Sequence, residues 1–102
     1  MKKKTFYKMM AGNKIEKAEG YQQYYNIPGT DIEISLCFDK RPFDWAITEE
    51  SSGMLIRRNF KTRKAAESSV NINMLKAIHK RLPSVNHYIT MLNIHRGRVC
   101  EL

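Results

Sequence analysis

The chain has 102 residues, of which 18 are Lys or Arg and 10 are Asp or Glu, so its formal net charge is +8 at pH 7. A chain of this length buries roughly 65% of the surface it exposes when unfolded, which is enough for one core and excludes a large multidomain enzyme. With 42% hydrophobic and 27% charged residues, the composition is also not that of a disordered protein.

The ends of the chain and its cysteines predict a cellular location. Lys2, Lys3 and Lys4 are basic, but no long apolar run follows them, so a secretory signal is not predicted. No segment approaches the roughly 18 apolar residues of a membrane span. Cys37 and Cys100 form no CxxC motif, which is typical of reduced thiols. We therefore expect a soluble cytoplasmic protein without membrane contact, in which Cys37 is a small buried residue.

The first part of the chain divides at about residue 20. Residues 1–20 have only a weak pattern and are expected to form a basic N-terminal tail of uncertain structure, before a single α+β domain over residues 21–102. From Tyr21 to Ile27 the apolar period is two, which indicates a strand. Pro28-Gly29 predicts a type II turn, because proline presets φ at the first central position and glycine accepts the positive φ at the second.

Three more strands are predicted before residue 61. Residues 32–38 alternate cleanly between apolar and polar side chains and are expected to form a central strand. Residues 45–48 form the third strand, a loop ends at Gly53, and residues 54–60 form the fourth. Arg58 interrupts the apolar face of this fourth strand, so we expect the strand near a sheet edge where Arg58 reaches water.

From Thr62 the apolar period becomes 3.6, which predicts one amphipathic helix of about twenty residues with Thr62 as its N-cap. Pro83 ends this helix, and Ser84 is expected to cap a second helix that stops near Gly97. The expected fold class is α+β: a four-stranded antiparallel meander followed by two helices packed on one face.

This order of strands, turn and helix resembles the small sheet-plus-helix modules that bind DNA, such as the arm-binding domains of tyrosine recombinases. The residues that carry the resemblance are Trp45, Gly53, Phe60, Thr62 and Lys64. They share a structural frame and no family-specific motif, so the chain is not identified as a member of that family.

The charge is unevenly distributed, with +4 in residues 1–20, −4 in residues 21–50 and +8 in residues 51–102. Clustered Lys and Arg side chains gain affinity for nucleic acid by releasing counterions, and helix N-terminal amides would add to anion binding. The alternative is a solvated helix face. The candidate nucleic-acid-binding residues are Arg57, Arg58, Lys61, Arg63, Lys64, Lys76, Lys80 and Arg81.

The acidic strands would repel a phosphate backbone, so we expect them to face away from bound nucleic acid. Alternatively, their carboxylates offset basic residues internally or contact a basic partner protein. Tyr21, Tyr24 and Tyr25 are more often sheet-packing residues than base-stacking ones.

Catalytic and metal-binding patterns are weak. His79, His87 and His95 are spaced by eight residues, and Pro83 separates His79 from the other two. A helical separation of roughly 12 Å prevents His87 and His95 from sharing one zinc ion. No serine or cysteine nucleophile stands in a recognisable frame with histidine, and no phosphate-binding glycine loop occurs. We expect neither catalysis, nor a metal, nor a cofactor.

The preferred hypothesis is therefore a non-catalytic protein that binds DNA or RNA through the predicted fourth strand and first helix. The alternative is a protein-binding inhibitor or adaptor of phage or mobile-element type, anti-CRISPR-like or anti-restriction-like, that acts on a host nucleoprotein. A third possibility is a homodimer formed by pairing of the tyrosine-rich strand across a sheet edge.

Overall fold

The sheet is an antiparallel meander of five strands in the order β1-β2-β3-β4-β5. The computed structural model describes the backbone of residues 2–101 and the side chains of residues 2–97. The strands are β1 (Lys2–Met10), β2 (Lys14–Asn26), β3 (Glu33–Lys40), β4 (Trp45–Glu49) and β5 (Met54–Phe60), and the helices are α1 (Arg63–Ser68), α2 (Ile72–Arg81) and α3 (Asn86–Glu101). The α+β class is confirmed, but the prediction of four strands is wrong.

The additional strand lies in residues 2–20, for which the sequence predicts no definite structure. β1 pairs with β2 from Lys2–Gln22 to Met10–Lys14. The turn between them contains Gly12 and Asn13 with φ angles of 76° and 60°. Glycine and asparagine are the residues that adopt this left-handed backbone most readily, so Gly-Asn suits the turn of this hairpin.

The hydrophobic core lies between one face of the sheet and the first two helices. The predicted central strand is in the middle of the sheet, and its residues Ile34, Leu36 and Phe38 are buried. α1 packs against β3, β4 and β5. α2 adds Leu75 and Ile78 to the same cluster, which explains the helical apolar period in the sequence.

The opposite face is enclosed because the sheet curls. The Met9 amide on β1 donates a hydrogen bond to the Gly53 carbonyl before β5, with an N–O distance of 2.8 Å. Gly53 has a φ of +69°, and a Cβ atom there would lie 2.7 Å from the Met9 nitrogen. Only glycine therefore fits this closure. The curled face buries Phe6 and Cys37, and burial of the Cys37 thiol was expected from the sequence.

The helical segment differs from the prediction of one long helix. Thr62 caps α1 as predicted, but the Ser69 amide and hydroxyl both donate to the Ala66 carbonyl and close the helix. Asn71 then caps α2 by accepting from the Met74 amide at 2.9 Å. Ser84 is not a helix cap, since it lies in a short 3₁₀ segment where its hydroxyl donates to the Arg81 carbonyl. Over the described residues, no helix is long and apolar enough to cross a membrane.

Candidate nucleic-acid interface

The eight basic residues singled out in the sequence lie on β5, α1, α2 and the turn between β5 and α1. Six of them are solvent-exposed and form no ion pair with any described side chain of residues 2–97. We call these six the basic surface: Arg57, Lys61, Lys64, Lys76, Lys80 and Arg81. Arg58 and Arg63 have internal partners.

Arg58 is occupied by a carboxylate. Its Nε and Nη2 atoms donate to the two oxygens of Asp44 at 2.9 and 3.0 Å, and the Asn59 amide donates to Asp44 at 2.7 Å. These hydrogen bonds, the one from Arg58 first, lower the pKa of the Asp44 carboxyl. Asn59 has a φ of +75°, in the left-handed region, and the Asp44 contact holds its amide in that conformation. Arg58 therefore joins β5 to the β3–β4 turn instead of standing free.

Arg63 stacks on an aromatic ring. Its guanidinium carbon lies 3.9 Å from the centre of the Tyr21 ring, and its Nε atom is 3.2 Å from the Glu67 carboxylate. The side chain nevertheless remains 39% exposed. A planar guanidinium held on an aromatic ring keeps its charge and one open side, so Arg63 remains a possible anion contact.

Arg57 on β5 and Arg81 at the end of α2 are brought together by the fold. Both line a groove of about 180 Å³ between β5 and α2, whose floor includes Ile56, Met74 and Ile78. The two side chains are 24 positions apart in the sequence, so no local pattern relates them. The groove combines two guanidinium groups with apolar walls.

Lys61 and Lys64 flank the start of α1, where the sequence predicts that helix N-terminal amides add to anion binding. α1 has only six residues, and the Thr62 hydroxyl already accepts from the Ala65 amide at 3.0 Å. A helix this short has little macrodipole, so the two lysines act through their own charge.

Lys76 and Lys80 lie on the far side of α2 from the core. At about 100° per residue, both project opposite Ile78, which is buried. They therefore extend the positive charge around the outside of α2, away from the groove of Arg57.

The acidic residues of β3, β4 and their loops are mostly turned inward. Asp39, Asp44 and Glu49 are at most 6% exposed. Asp39 accepts from Thr48 at 3.0 Å and from Arg41 at 3.1 Å. The hydroxyls and amides of Ser51 and Ser52 donate to Glu49. These carboxylates are thus satisfied by hydrogen bonds within the fold, which agrees with the alternative that they offset polar and basic groups internally.

Glu50 completes this set. It accepts from Lys4 at 2.6 Å, and from Gln22 and Ser35 at 2.8 Å each. Burial alone would raise the pKa of Glu50, but the hydrogen bonds from Lys4 and Ser35 outweigh it and lower the pKa. The same contact raises the pKa of Lys4.

The tyrosines take different positions. Tyr25 is partly buried against the core, where burial first and the Glu67 charge second raise its pKa. Tyr24 is 57% exposed. Tyr21 contacts Arg63 and lies 6.4 Å, centre to centre, from the ring of Trp45.

Two residues of the segment from Lys40 to Trp45 were missed by the sequence analysis. Lys40 lines a recess of about 240 Å³ together with Tyr21 and Trp45. Phe43, in the β3–β4 turn, is 96% exposed. A large aromatic residue beside the proline of a turn was the available signal, because turns are usually polar and a phenyl ring there has no strand or helix face to occupy.

The histidines are not grouped. His95 packs edge-on against Tyr7 at 4.7 Å, and His87 lies 4.0 Å from the Tyr88 ring. In the part of the chain that the structure describes, no three His, Cys, Asp or Glu residues are placed to hold a metal ion.

Comparison with known proteins adds no relative: no family model, no curated protein and no solved structure matches this chain.

Proposed function

We propose that this protein is a non-catalytic nucleic-acid-binding protein that contacts the phosphate backbone with its basic surface. The observation that carries the proposal is the asymmetry between the two kinds of charge. Of the six acidic residues in 21–50, Asp31 and Glu33 are exposed and the other four, Asp39, Asp44, Glu49 and Glu50, are satisfied inside the fold. The six cations of the basic surface are all exposed and have no ion-pair partner among residues 2–97.

An exposed cation without a partner loses little hydration or pairing energy when it meets a phosphate. Each such contact releases condensed counterions, which favours association at low salt. The groove between β5 and α2 supports the proposal further, because two guanidinium groups on one groove suit the paired oxygens of a phosphodiester. The basic surface of this proposal is smaller than the one expected from the sequence, since Arg58 is occupied by Asp44.

The test is a salt titration of binding to a mixed-sequence duplex and to a single strand. The basic surface offers at most six phosphate contacts, so the steepest slope of log K against log salt is about −5 on a duplex and about −4 on a single strand. The double variant Lys61→Gln with Lys64→Gln should make this negative slope shallower by about 1 to 2. Lys14→Gln with Lys17→Gln, both exposed on the β1–β2 hairpin, is the matched control because it removes the same charge elsewhere.

Absence of binding at low salt, or equal effects of the two double variants, would contradict the proposal. The alternative of a protein target gives a different result, since a partner captured from lysate would then survive nuclease digestion.

A further inference from the structure

A recess lined by aromatic and basic side chains lies beside the basic surface. Lys3, Tyr21, Lys40 and Trp45 line it, together with Glu19, and its volume is about 240 Å³. The ring centres of Tyr21 and Trp45 are 6.4 Å apart, with ring planes at 40°. Arg63 of α1 stacks on the Tyr21 ring and so connects the recess to α1.

The cations of the recess are accessible. Lys40 is exposed and forms no ion pair with a described carboxylate in residues 2–97. Lys3 lies 3.7 Å from Glu19, but both side chains are more than 60% exposed, and such surface pairs exchange readily for other partners. The recess thus offers aromatic surface with two positive charges at its rim.

The turn from Lys40 to Trp45 adds a second aromatic element. Phe43 is 96% exposed at its tip, although the turn itself is fixed. The Arg41 amide donates to the Asp44 carbonyl at 2.8 Å, and the Asp44 side chain is held by Arg58. A phenyl ring kept in water on a rigid turn gains from any flat apolar group that covers it.

Planar groups that also carry negative charge fit this combination. In a duplex the faces of the bases are stacked on one another, whereas a single strand leaves them free to stack on aromatic side chains and guanidinium planes. Backbone phosphates next to such a base would lie near Lys3 and Lys40, and the Glu19 carboxylate can accept a hydrogen bond from a base N–H such as N3–H of thymine.

We propose that the Tyr21–Trp45 recess and Phe43 form a base-stacking site for single-stranded nucleic acid, continuous with the basic surface through Arg63. This inference rests on the proposed function and specifies its preferred substrate as unpaired rather than duplex strands.

The experiment uses the single tryptophan of the chain, Trp45, as a fluorescent reporter. The full-length protein is titrated with an oligothymidylate and with an abasic deoxyribose-phosphate oligomer of the same length and charge. We expect the oligothymidylate to bind at least about 5-fold more tightly and to quench the fluorescence of Trp45. The abasic oligomer should bind through phosphate contacts alone, without quenching.

Phe43→Ala is the main variant, because the side chain is almost entirely in water and its removal leaves the fold intact. It should weaken oligothymidylate binding about 5- to 100-fold and leave abasic binding unchanged. Phe43→Leu, which stays apolar but lacks a π face, should show most of the same loss. Ile94→Ala, at a 52% exposed apolar position on α3, is the matched control.

Three results would overturn the inference in distinguishable ways. Equal affinity for both oligomers, with no effect of Phe43→Ala, would remove the stacking site and leave phosphate binding in place. Binding of neither oligomer at low salt would remove the proposed function as well. A nuclease-resistant protein partner that needs Phe43 would assign the ring to protein recognition instead.

Discussion

Arg57 and Arg58 are neighbours in the sequence, yet the structure predicts opposite consequences for their replacement. Arg57 is exposed, has no ion-pair partner among residues 2–97 and lines the groove with Arg81. Arg58 donates two hydrogen bonds to Asp44. We therefore expect Arg57→Gln to weaken nucleic-acid binding with little effect on stability, and Arg58→Gln to lower stability with little effect on the salt dependence of binding.

The magnitude for Arg57→Gln follows from the number of available phosphate contacts. With six contacts on a duplex, the affinity falls by about 2,000-fold between about 50 and 200 mM salt, and with five contacts it falls by about 500-fold. On a single strand the corresponding losses are about 300-fold and about 100-fold. Arg58→Gln should give the wild-type slope, because Arg58 contributes its charge to Asp44 and not to the six contacts.

Binding is measured by fluorescence anisotropy of a labelled oligonucleotide at five or more salt concentrations, and stability by thermal unfolding followed with circular dichroism. Arg58→Gln should reduce the melting temperature at neutral pH, and Asp44→Asn should do the same because it weakens the same pair from the other side. If Arg58→Gln lowers the salt slope as much as Arg57→Gln while the melting temperature is unchanged, the assignment of the two arginines is wrong.

Three further predictions concern stability and reactivity. Because the pKa of Glu50 is lowered, its contribution to stability is present above its ordinary pKa of 4.5 and is lost as the pH falls through the folded-state pKa. The pKa of Lys4 is raised, so its contribution is present below its ordinary pKa of 10.5 and is lost at still higher pH. Glu50→Gln should flatten both the acid and the alkaline limb of a plot of melting temperature against pH, and unchanged limbs would contradict the Lys4–Glu50 contact. Gly20→Ala should destabilise the protein by about 1 to 3 kcal/mol in urea unfolding, since the new Cβ would lie 2.8 Å from the Phe38 carbonyl oxygen. Gly97→Ala on α3, where a Cβ meets nothing within 4 Å, is its control and should be neutral or stabilising. The thiol of Cys37, buried and with its pKa raised to about 12, should react with iodoacetamide only as fast as the protein opens, and rapid alkylation of the Cys37 peptide by mass spectrometry would refute its burial.

The strands with an apolar face could be predicted from the sequence. Residues 33–40 and 54–60 form strands close to the predicted bounds, and the turn at Pro28-Gly29 has the expected positive φ of 79° at Gly29. In both strands and the turn, a local signal coincides with the structural requirement: alternation for a half-buried strand, and glycine for a left-handed backbone.

β1 could not be found in that way because its buried side chains are not all apolar. Lys8 is only 8% exposed, and its amino group lies 3.8 Å from Asp39 across the curled face of the sheet. A strand whose inward positions include lysine has no hydrophobic alternation to detect. The break between α1 and α2 was hidden for the opposite reason, since the apolar spacing continues through it and only Asn71 marks the new start.

The sequence indicates which basic residues belong to the candidate surface, but not which of them are paired with carboxylates or how they are placed in space. Charge counts along the sequence identify the excess of Lys and Arg in the C-terminal half. The structure shows which of these residues, such as Arg58, are paired with a carboxylate. Whether an arginine is free depends on a carboxylate such as Asp44, 14 residues away in the β3–β4 turn, and on which way the side chain turns. Neither is encoded in a short window of sequence.

The hydrogen bond between Met9 and Gly53 has a consequence for the order of folding. The strands of the meander pair with their sequence neighbours through short loops, so the individual hairpins need little loop closure. The contact between β1 and the β4–β5 turn joins residues 44 positions apart, and it can form only when the hairpins between them have already curled. We therefore expect this closure to form after the transition state, so that a substitution at Gly53 accelerates unfolding far more than it slows folding.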